Sequence, residues 1–258
     1  MRLMKRILSA AAVLALSASL LVGCSSGTAS SVPVSASSAA ESTVSSVEET
    51  ASSAVDENEA AAAQLLNDLT GSYQELWPVI LADEYKQTWL DDCTALVGED
   101  NAEAAFEKLS SMVTGDVYGE DAVKAYANGG GAYFCGFTNS LAILTFDGET
   151  STISGTDKDG NVLFSHTYHY IGMEPVRGLY EFQSDDADSG EFTYFFLAPD
   201  TSAETYHIEF RYGSDAEALS QYDAGDYAYW LASGISTDCD QTMIDNCIEL
   251  FCTENLAG

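Results

Sequence analysis

Three histidines are the side chains of this sequence best suited to binding a metal ion. His207 lies in a strand-like segment flanked by the carboxylates Glu204 and Glu209, and His166 and His169 lie three residues apart in an earlier strand-like segment. Two imidazoles and a carboxylate form an adequate ligand set for zinc. In a regular strand, residues three apart point to opposite faces, so we expect at most one of His166 and His169 to face the same cavity as His207.

The sequence contains no motif that specifies catalysis. The Gly-x-Ser-x-Gly and His-Glu-x-x-His patterns are absent, and the glycine run 129–131 lacks the lysine and the serine or threonine of a phosphate-binding loop. Carboxylates are so frequent that a pair of them identifies no site. We therefore predict that the protein is not an enzyme.

The first 23 residues have the pattern of a lipoprotein signal peptide. Three basic residues precede an apolar run from Ile7 to Leu21, and Gly23 precedes Cys24. The run is short for a membrane span, although an N-terminal transmembrane anchor is the competing interpretation. We expect cleavage before Cys24 and acylation of that cysteine. The protein would then be extracytoplasmic and held at the bacterial membrane only through its lipid.

Residues 24–58 are predicted to form a tether between the lipid and a folded domain. Serine, alanine, threonine, valine and glutamate dominate this stretch, which cannot bury enough apolar surface to offset the entropy lost on ordering. As a flexible coil it would reach about 30 to 35 Å. The folded domain is then expected over residues 59–258, a length that supports a single core.

The charge of the chain excludes nucleic acid as a partner. The sequence has 41 acidic and nine basic residues and a formal net charge of −32. Three of the nine basic residues precede the apolar run and would be removed with the signal peptide. A surface this negative repels phosphate backbones and anionic lipid headgroups. It attracts cations, including metal ions, but the same acidity also serves solubility and so identifies no site.

Five cysteines remain besides Cys24, an odd number that cannot all pair. Their spacing fits no structural zinc site. Cys247 shares one helical face with Met243, Leu250 and Phe251, which predicts that it packs as a small apolar residue. One or two disulfides are compatible with an exported protein, and the sequence indicates no connectivity.

Periodicity predicts a mainly β fold with helices at both ends. Apolar stripes with helical spacing occur around Leu65, from Tyr73 to Leu81, from Tyr85 to Leu96 and from Ala105 to Met112, and again at the C-terminus. Between them, turn signals recur about every ten residues, as in an antiparallel meander. We predict a lipocalin- or calycin-like antiparallel barrel flanked by N-terminal helices and a C-terminal helix. The expected strands are 141–146, 150–155, 161–170, 177–183, 191–197 and 204–212.

Three blocks of sequence carry a resemblance to a known family. They are 69–78, with its glycine, aromatic, glutamine, aromatic and proline pattern, 176–182 after a glycine turn, and 197–213, which ends in Tyr-Gly. In this order and spacing the chain resembles the ZinT family of bacterial envelope proteins over about residues 65–252. The resemblance implies a lipocalin-like barrel that binds zinc at its mouth and has a metal-uptake transporter component as a partner.

The same resemblance implies which residues would form the zinc site. The family uses three histidines, one shortly before an Ala-Pro pair and two as His-x-His on the next strand. His207 matches the last of these, whereas Thr205 and Phe195 stand where the other two are expected. Completing a site would require His166, His169 or a carboxylate.

Two hypotheses follow for the function. The first is a membrane-anchored lipoprotein that binds or delivers a divalent metal, with zinc at His207, His169 and His166. The alternative is a calycin-like barrel that has lost the metal site and binds a small ligand or a partner protein through its aromatic residues, which include Tyr168, Tyr170, Tyr194 and Phe195.

Overall fold

A computed structural model describes residues 57–198 and 207–257. The residues from Asn58 onward form one compact unit. Its helices are α1 (57–68), α2 (Leu76–Ile80), α3 (Lys86–Val97), α4 (Glu99–Ser111), α5 (Glu120–Ala127), α6 (Ala216–Leu219) and α7 (Gln241–Leu256). Its strands are β1 (Gly71–Glu75), β2 (Ile143–Asp147), β3 (Thr152–Thr156), β4 (Val162–Met173), β5 (Tyr180–Ser184), β6 (Tyr194–Leu197), β7 (His207–Gly213) and β8 (Ala232–Ser236).

The eight strands form a closed barrel in which each strand pairs antiparallel with its neighbours in the sequence. Closure is made by β1, which pairs β2 on one side and β8 on the other. The predicted antiparallel barrel flanked by helices is therefore confirmed. The six expected strands are present as β2 to β7, and the predicted helices around Leu65, from Tyr85 to Leu96 and from Ala105 to Met112 are α1, α3 and α4.

One predicted helix was wrong over half its length. The stripe from Tyr73 to Leu81 was assigned to a helix, but Gly71–Glu75 is strand β1 and the helix begins only at Leu76. Tyr73 is buried because it faces the barrel interior, where it packs edge to face against Phe146. Pro78 lies in the first turn of α2, where its missing N–H would have no helical partner.

Aromatic side chains fill the interior of the barrel. Phe195 and Tyr212 are register partners on β6 and β7, with ring centroids 5.4 Å apart, and both are fully buried. Gly155 on β3 leaves the space that Phe164 occupies, because a Cβ there would lie 2.4 Å from the Phe164 ring. An eight-stranded barrel has an interior just wide enough for side chains. Tyr168 and Phe195, two residues of the alternative ligand-binding hypothesis, thus belong to a packed core.

A second core lies between the outer face of the barrel and the helices. Trp89 of α3 is fully buried there, and its indole N–H donates to the Ile80 carbonyl over 2.7 Å. Ile235 of β8 belongs to this cluster, as do residues of α2, α4 and α7. Helix α7 begins at Asp240, whose carboxylate accepts a hydrogen bond from the Met243 backbone N–H.

A buried arginine fixes the chain between β7 and β8. The guanidinium of Arg211 is fully buried and donates to the carbonyls of Leu219, Tyr227 and Gln221. It also lies 4.4 Å from the centre of the Tyr222 ring. Burial lowers the pKa of Arg211 from its usual value because desolvation opposes the charge. One guanidinium thus satisfies several carbonyls of an irregular segment, which a less branched cation cannot do.

We expect Phe195→Ala to lower the free energy of unfolding by about 3–5 kcal/mol, because it leaves a cavity within the aromatic core. Tyr194→Ala is the matched control, since the Tyr194 ring lies on the other face of β6 from Phe195 and is only partly buried. Its loss should be less than half as large. Urea unfolding followed by circular dichroism measures both, and equal losses would contradict a packed interior.

We expect Arg211→Lys to lower the free energy of unfolding by about 2–4 kcal/mol, because an ammonium cannot reach all the carbonyls and leaves buried acceptors without a donor. Arg177→Lys is the control. Arg177 lies 4.3 Å from the centre of the same Tyr222 ring but is only partly buried, so its replacement should change stability by less than about 1 kcal/mol. Thermal or urea unfolding compares the two, and a larger loss for Arg177→Lys would refute this explanation.

Candidate metal centre

His166 faces the barrel interior and is paired with an aspartate. It lies on β4 between the inward-facing Phe164 and Tyr168, and its side chain is 19% exposed. Its Nδ1 is 2.7 Å from the Oδ2 of Asp186. Because an ionised carboxylate only accepts hydrogen bonds, Nδ1 is the donor in this pair, which leaves Nε2 as the ring nitrogen that a metal ion could contact.

His169 lies on the outer face of β4 and forms a second pair of the same kind. Its Nδ1 is 2.6 Å from Oδ1 of Asp185, and both side chains are about half exposed. The two histidines point to opposite sides of the strand, as residues three apart in a strand should. We call His166 with Asp186 and His169 with Asp185 the two His–Asp pairs.

The long strand β4 explains why both pairs form at one place. Its first half pairs with β3 and its second half with β5, so residues before Tyr168 extend beyond the end of β5. After Ser184, the last residue of β5, the Asp185 backbone N–H donates to the Thr167 carbonyl over 2.9 Å. The chain therefore continues beside β4 as far as Asp185, and the Asp186 backbone N–H donates to the Ser184 hydroxyl over 3.1 Å. Asp185 thus reaches His169 on the outer face of β4, and Asp186 reaches His166 on the inner face.

His207 lies far from the His–Asp pairs in the strand register. It precedes Ile208 on β7 and pairs with Ile235, a residue of the outer core, so it is on the outer face of the barrel. His207 lies beyond the pair of Leu197 and Phe210, at one end of the barrel. His166 lies beyond the pair of Tyr168 and Ser184, at the opposite end. The structure thus brings His166 and His169 to one hairpin and does not bring His207 to them.

The other predicted site positions fall in different surroundings. Phe195, which matches the first histidine of the family, is fully buried inside the barrel. Thr205, Glu204 and Cys24 lie outside the described residues. Within residues 57–198 and 207–257, no group of three or more histidine, cysteine or acidic side chains is arranged to hold a metal ion. A metal ion at either His–Asp pair would therefore have one imidazole nitrogen as its protein ligand, with the remaining positions open to water.

The cysteines do not offer thiolate ligands. All five described cysteines are free thiols, and burial raises the pKa of both Cys135 and Cys247 to about 12. A metal ligand must be a thiolate, so these groups are poor ligands at neutral pH. Cys247 is buried in the outer core, which confirms its prediction as a small packed residue.

Sequence reasoning allowed for an aspartate ligand but did not identify Asp185 and Asp186. The available signal was a run of three aspartates within 185–188 directly after a strand, about twenty residues from the two histidines. In an antiparallel hairpin such a run lies beside the partner strand. In a chain with 41 acidic residues, that signal stands out only once the register of β4 and β5 is known.

A surface pocket of about 300 Å³ lies beside the start of α2. Its walls include Trp77, Leu81, Cys135 and the carboxylate of Glu75. Glu75 accepts a hydrogen bond from the Phe137 backbone N–H over 2.6 Å. The pocket therefore combines an apolar wall with one acceptor group. In the part of the chain that is described, no helix is long and apolar enough to span a membrane.

Comparison with known proteins gives structural likeness alone. No family model matches the chain, and no curated protein matches it. It is similar to the Zn(II)-bound ZinT-like domain of Streptococcus pneumoniae AdcA, with 15% identity, a TM-score of 0.46, and coverage of 71% of this chain and 89% of that one. It is also similar to Zn(II)-bound AdcA from Streptococcus pneumoniae, with 14% identity, a TM-score of 0.43, and coverage of 72% and 35%.

The resemblance to the ZinT family is thereby confirmed as a likeness at low identity. Both TM-scores are below 0.5. The barrel is therefore established by its own strand pairing, and the chemistry of the site by its own residues.

Proposed function

We propose that this protein binds a divalent metal cation, zinc in the first instance, through the two His–Asp pairs. The observation that carries the proposal is the pairing of both imidazoles through Nδ1, at 2.7 and 2.6 Å, with adjacent aspartates. A carboxylate on one ring nitrogen fixes the tautomer and makes the other a better ligand, as around metal-bound histidines generally. Nε2 of each ring is the atom proposed to contact the metal.

The charge of the chain supports a cationic ligand. Asp185, Asp186 and Asp188 lie together after β5, in a chain whose formal net charge is −32. A field of this sign raises the local concentration of cations and speeds their association. The effect is not specific for one metal. Selection among metals would come from the imidazole nitrogens, which suit zinc better than magnesium or calcium.

The proposed site is weaker than a site with three histidines. The two pairs lie on opposite faces of β4, so each supplies one imidazole nitrogen, and water completes the coordination because the paired aspartate is held at the other ring nitrogen. With one protein nitrogen for each metal ion, we expect a dissociation constant well above nanomolar. Such an affinity suits a protein that takes up a metal and releases it again.

We further propose that the metal is bound outside the cytoplasm and close to a membrane. Acylated Cys24 would supply the anchor, and residues 24–58 would supply a tether with a reach of about 30 to 35 Å. The resemblance to the ZinT family supports a component of a metal-uptake transporter as the recipient. The membrane itself would be contacted only through the lipid.

Zinc calorimetry on residues 25–258 tests the proposal. We expect one or two sites in the unmodified chain. His166→Gln or His169→Gln should lower the affinity at least tenfold at the site whose ligand nitrogen it removes, and leave the other site unchanged. Asp186→Asn should weaken the His166 contact by about 10- to 100-fold, as loss of an orienting carboxylate does elsewhere.

His207→Gln is the matched control, since it removes an imidazole on the outer face of β7 and should leave the affinity unchanged. No zinc binding by the unmodified chain would end the metal proposal. Loss of binding in His207→Gln alone would place the site at the other end of the barrel.

The pocket beside Trp77 favours the alternative, in which the barrel binds a small ligand and no metal. Its apolar wall at Trp77 and Leu81 and its Glu75 carboxylate suit a small, partly apolar ligand with a donor group. The two functions differ in a simple measurement. A ligand of the pocket would raise the melting temperature of the unmodified chain and not that of Trp77→Phe, whereas zinc would raise both equally.

A further inference from the structure

Two cysteines from distant parts of the sequence meet in the outer core. Cys93 is in α3 and Cys252 is near the end of α7, 159 residues later, and their sulfur atoms are 3.9 Å apart. Both side chains are fully buried. Among the described cysteines, this is the one sulfur to sulfur contact at hydrogen-bond distance.

The surroundings hold the two sulfur atoms in place. Trp89, one turn before Cys93, packs against Phe251, the neighbour of Cys252, with ring centroids 6.0 Å apart. The helices α3 and α7 thus already pack together at the level of the two cysteines. A disulfide has sulfur atoms about 2.05 Å apart, so they would need to approach by about 2 Å, which changes in side-chain torsion and small helix shifts supply.

We propose that Cys93 and Cys252 form a disulfide when the chain folds outside the cytoplasm, linking α3 to the C-terminal helix. The sulfur to sulfur bond forms as the two thiols lose two protons and two electrons. An external disulfide accepts them and leaves as two thiols. One cysteine attacks that disulfide to give a mixed disulfide, and the other then displaces the carrier thiol.

The bond forms while α7 is packing on α3, before the outer core has closed around the two sulfur atoms. In the folded chain, burial raises the pKa of both thiols, and the proximity of the other sulfur raises that of Cys252 further. Thiolates are the attacking species, so the buried pair reacts slowly once the outer core has closed. An external disulfide also cannot reach a side chain that is fully buried. Oxidation therefore belongs to folding rather than to the finished protein.

The link would constrain most of the domain. The segment from Cys93 to Cys252 contains seven of the eight strands, and all but β1 lie within it. Cross-linking the ends of so long a loop removes a large amount of entropy from the unfolded chain. The gain acts on the unfolded state, so it does not depend on a metal or on the His–Asp pairs. Cys135, Cys239 and Cys247 remain thiols.

Refolding of the full chain with glutathione tests the proposal. The reduced chain is denatured, refolded with a mixture of oxidised and reduced glutathione, alkylated and digested without reductant. We expect one cross-linked peptide pair containing Cys93 and Cys252, with the mass of two hydrogens lost, and a melting temperature raised by about 10 °C over the reduced chain. Reduced chain exposed to the same mixture after folding should gain the link much more slowly.

Cys247→Ser is the matched control, because it removes another buried thiol of α7 and should leave the link and the difference in melting temperature intact. Cys93→Ser and Cys252→Ser should each abolish both. The peptide map of the unmodified chain decides the matter even if a variant fails to fold. Alkylation of Cys93 and Cys252 in the refolded chain, or a bridge from either to a third cysteine, would overturn the proposal.

Discussion

The closure of eight short strands around an interior filled with aromatic rings is the constraint on which the rest of this structure depends. A barrel of eight strands has room for a filling of side chains or for one small ligand. Here Phe195, Phe210 and Tyr212 occupy that room, each fully buried and stacked on the next. Because closure removes every free sheet edge, the fold needs no partner to protect its strands. In the part of the chain that the structure describes, buried aromatic side chains pack throughout this interior.

The reactive side chains described for this domain lie at the ends and on the outer face of the barrel. The stagger between strands makes β4 project beyond β5, and the projecting part brings two histidines beside two aspartates. On the outer face, helices cover the wall with a second core that contains the Cys93 to Cys252 contact. Between β7 and β8, Arg211 organises an irregular segment by binding its carbonyls. Each feature follows from how a filled barrel must be covered and closed.

The sequence predicted the meander because β2 to β7 combine alternating apolar residues with regular turn signals. It did not predict β8, whose residues Ala232, Ser233, Gly234, Ile235 and Ser236 are all buried and show no alternation. It placed Tyr73 in a helix because the spacing to Leu76 fits a helical stripe, although closure of the barrel requires a strand there. For the site, the types of residue were predictable and their grouping was not. Only the register of β4 against β5 separates His166 and His169 from His207.

The central claim concerns which imidazole nitrogens contact a cation, and three histidines make it directly observable. A long-range proton–nitrogen NMR spectrum of residues 25–258 labelled with ¹⁵N shows the ring nitrogens of His166, His169 and His207 separately, and it can be recorded before and after addition of zinc. The account predicts that Nε2 of His166 and His169 shifts on zinc addition, that Nδ1 of both stays protonated, and that His207 does not change. A spectrum in which only His207 shifts, or in which no ring nitrogen responds to zinc, would contradict it.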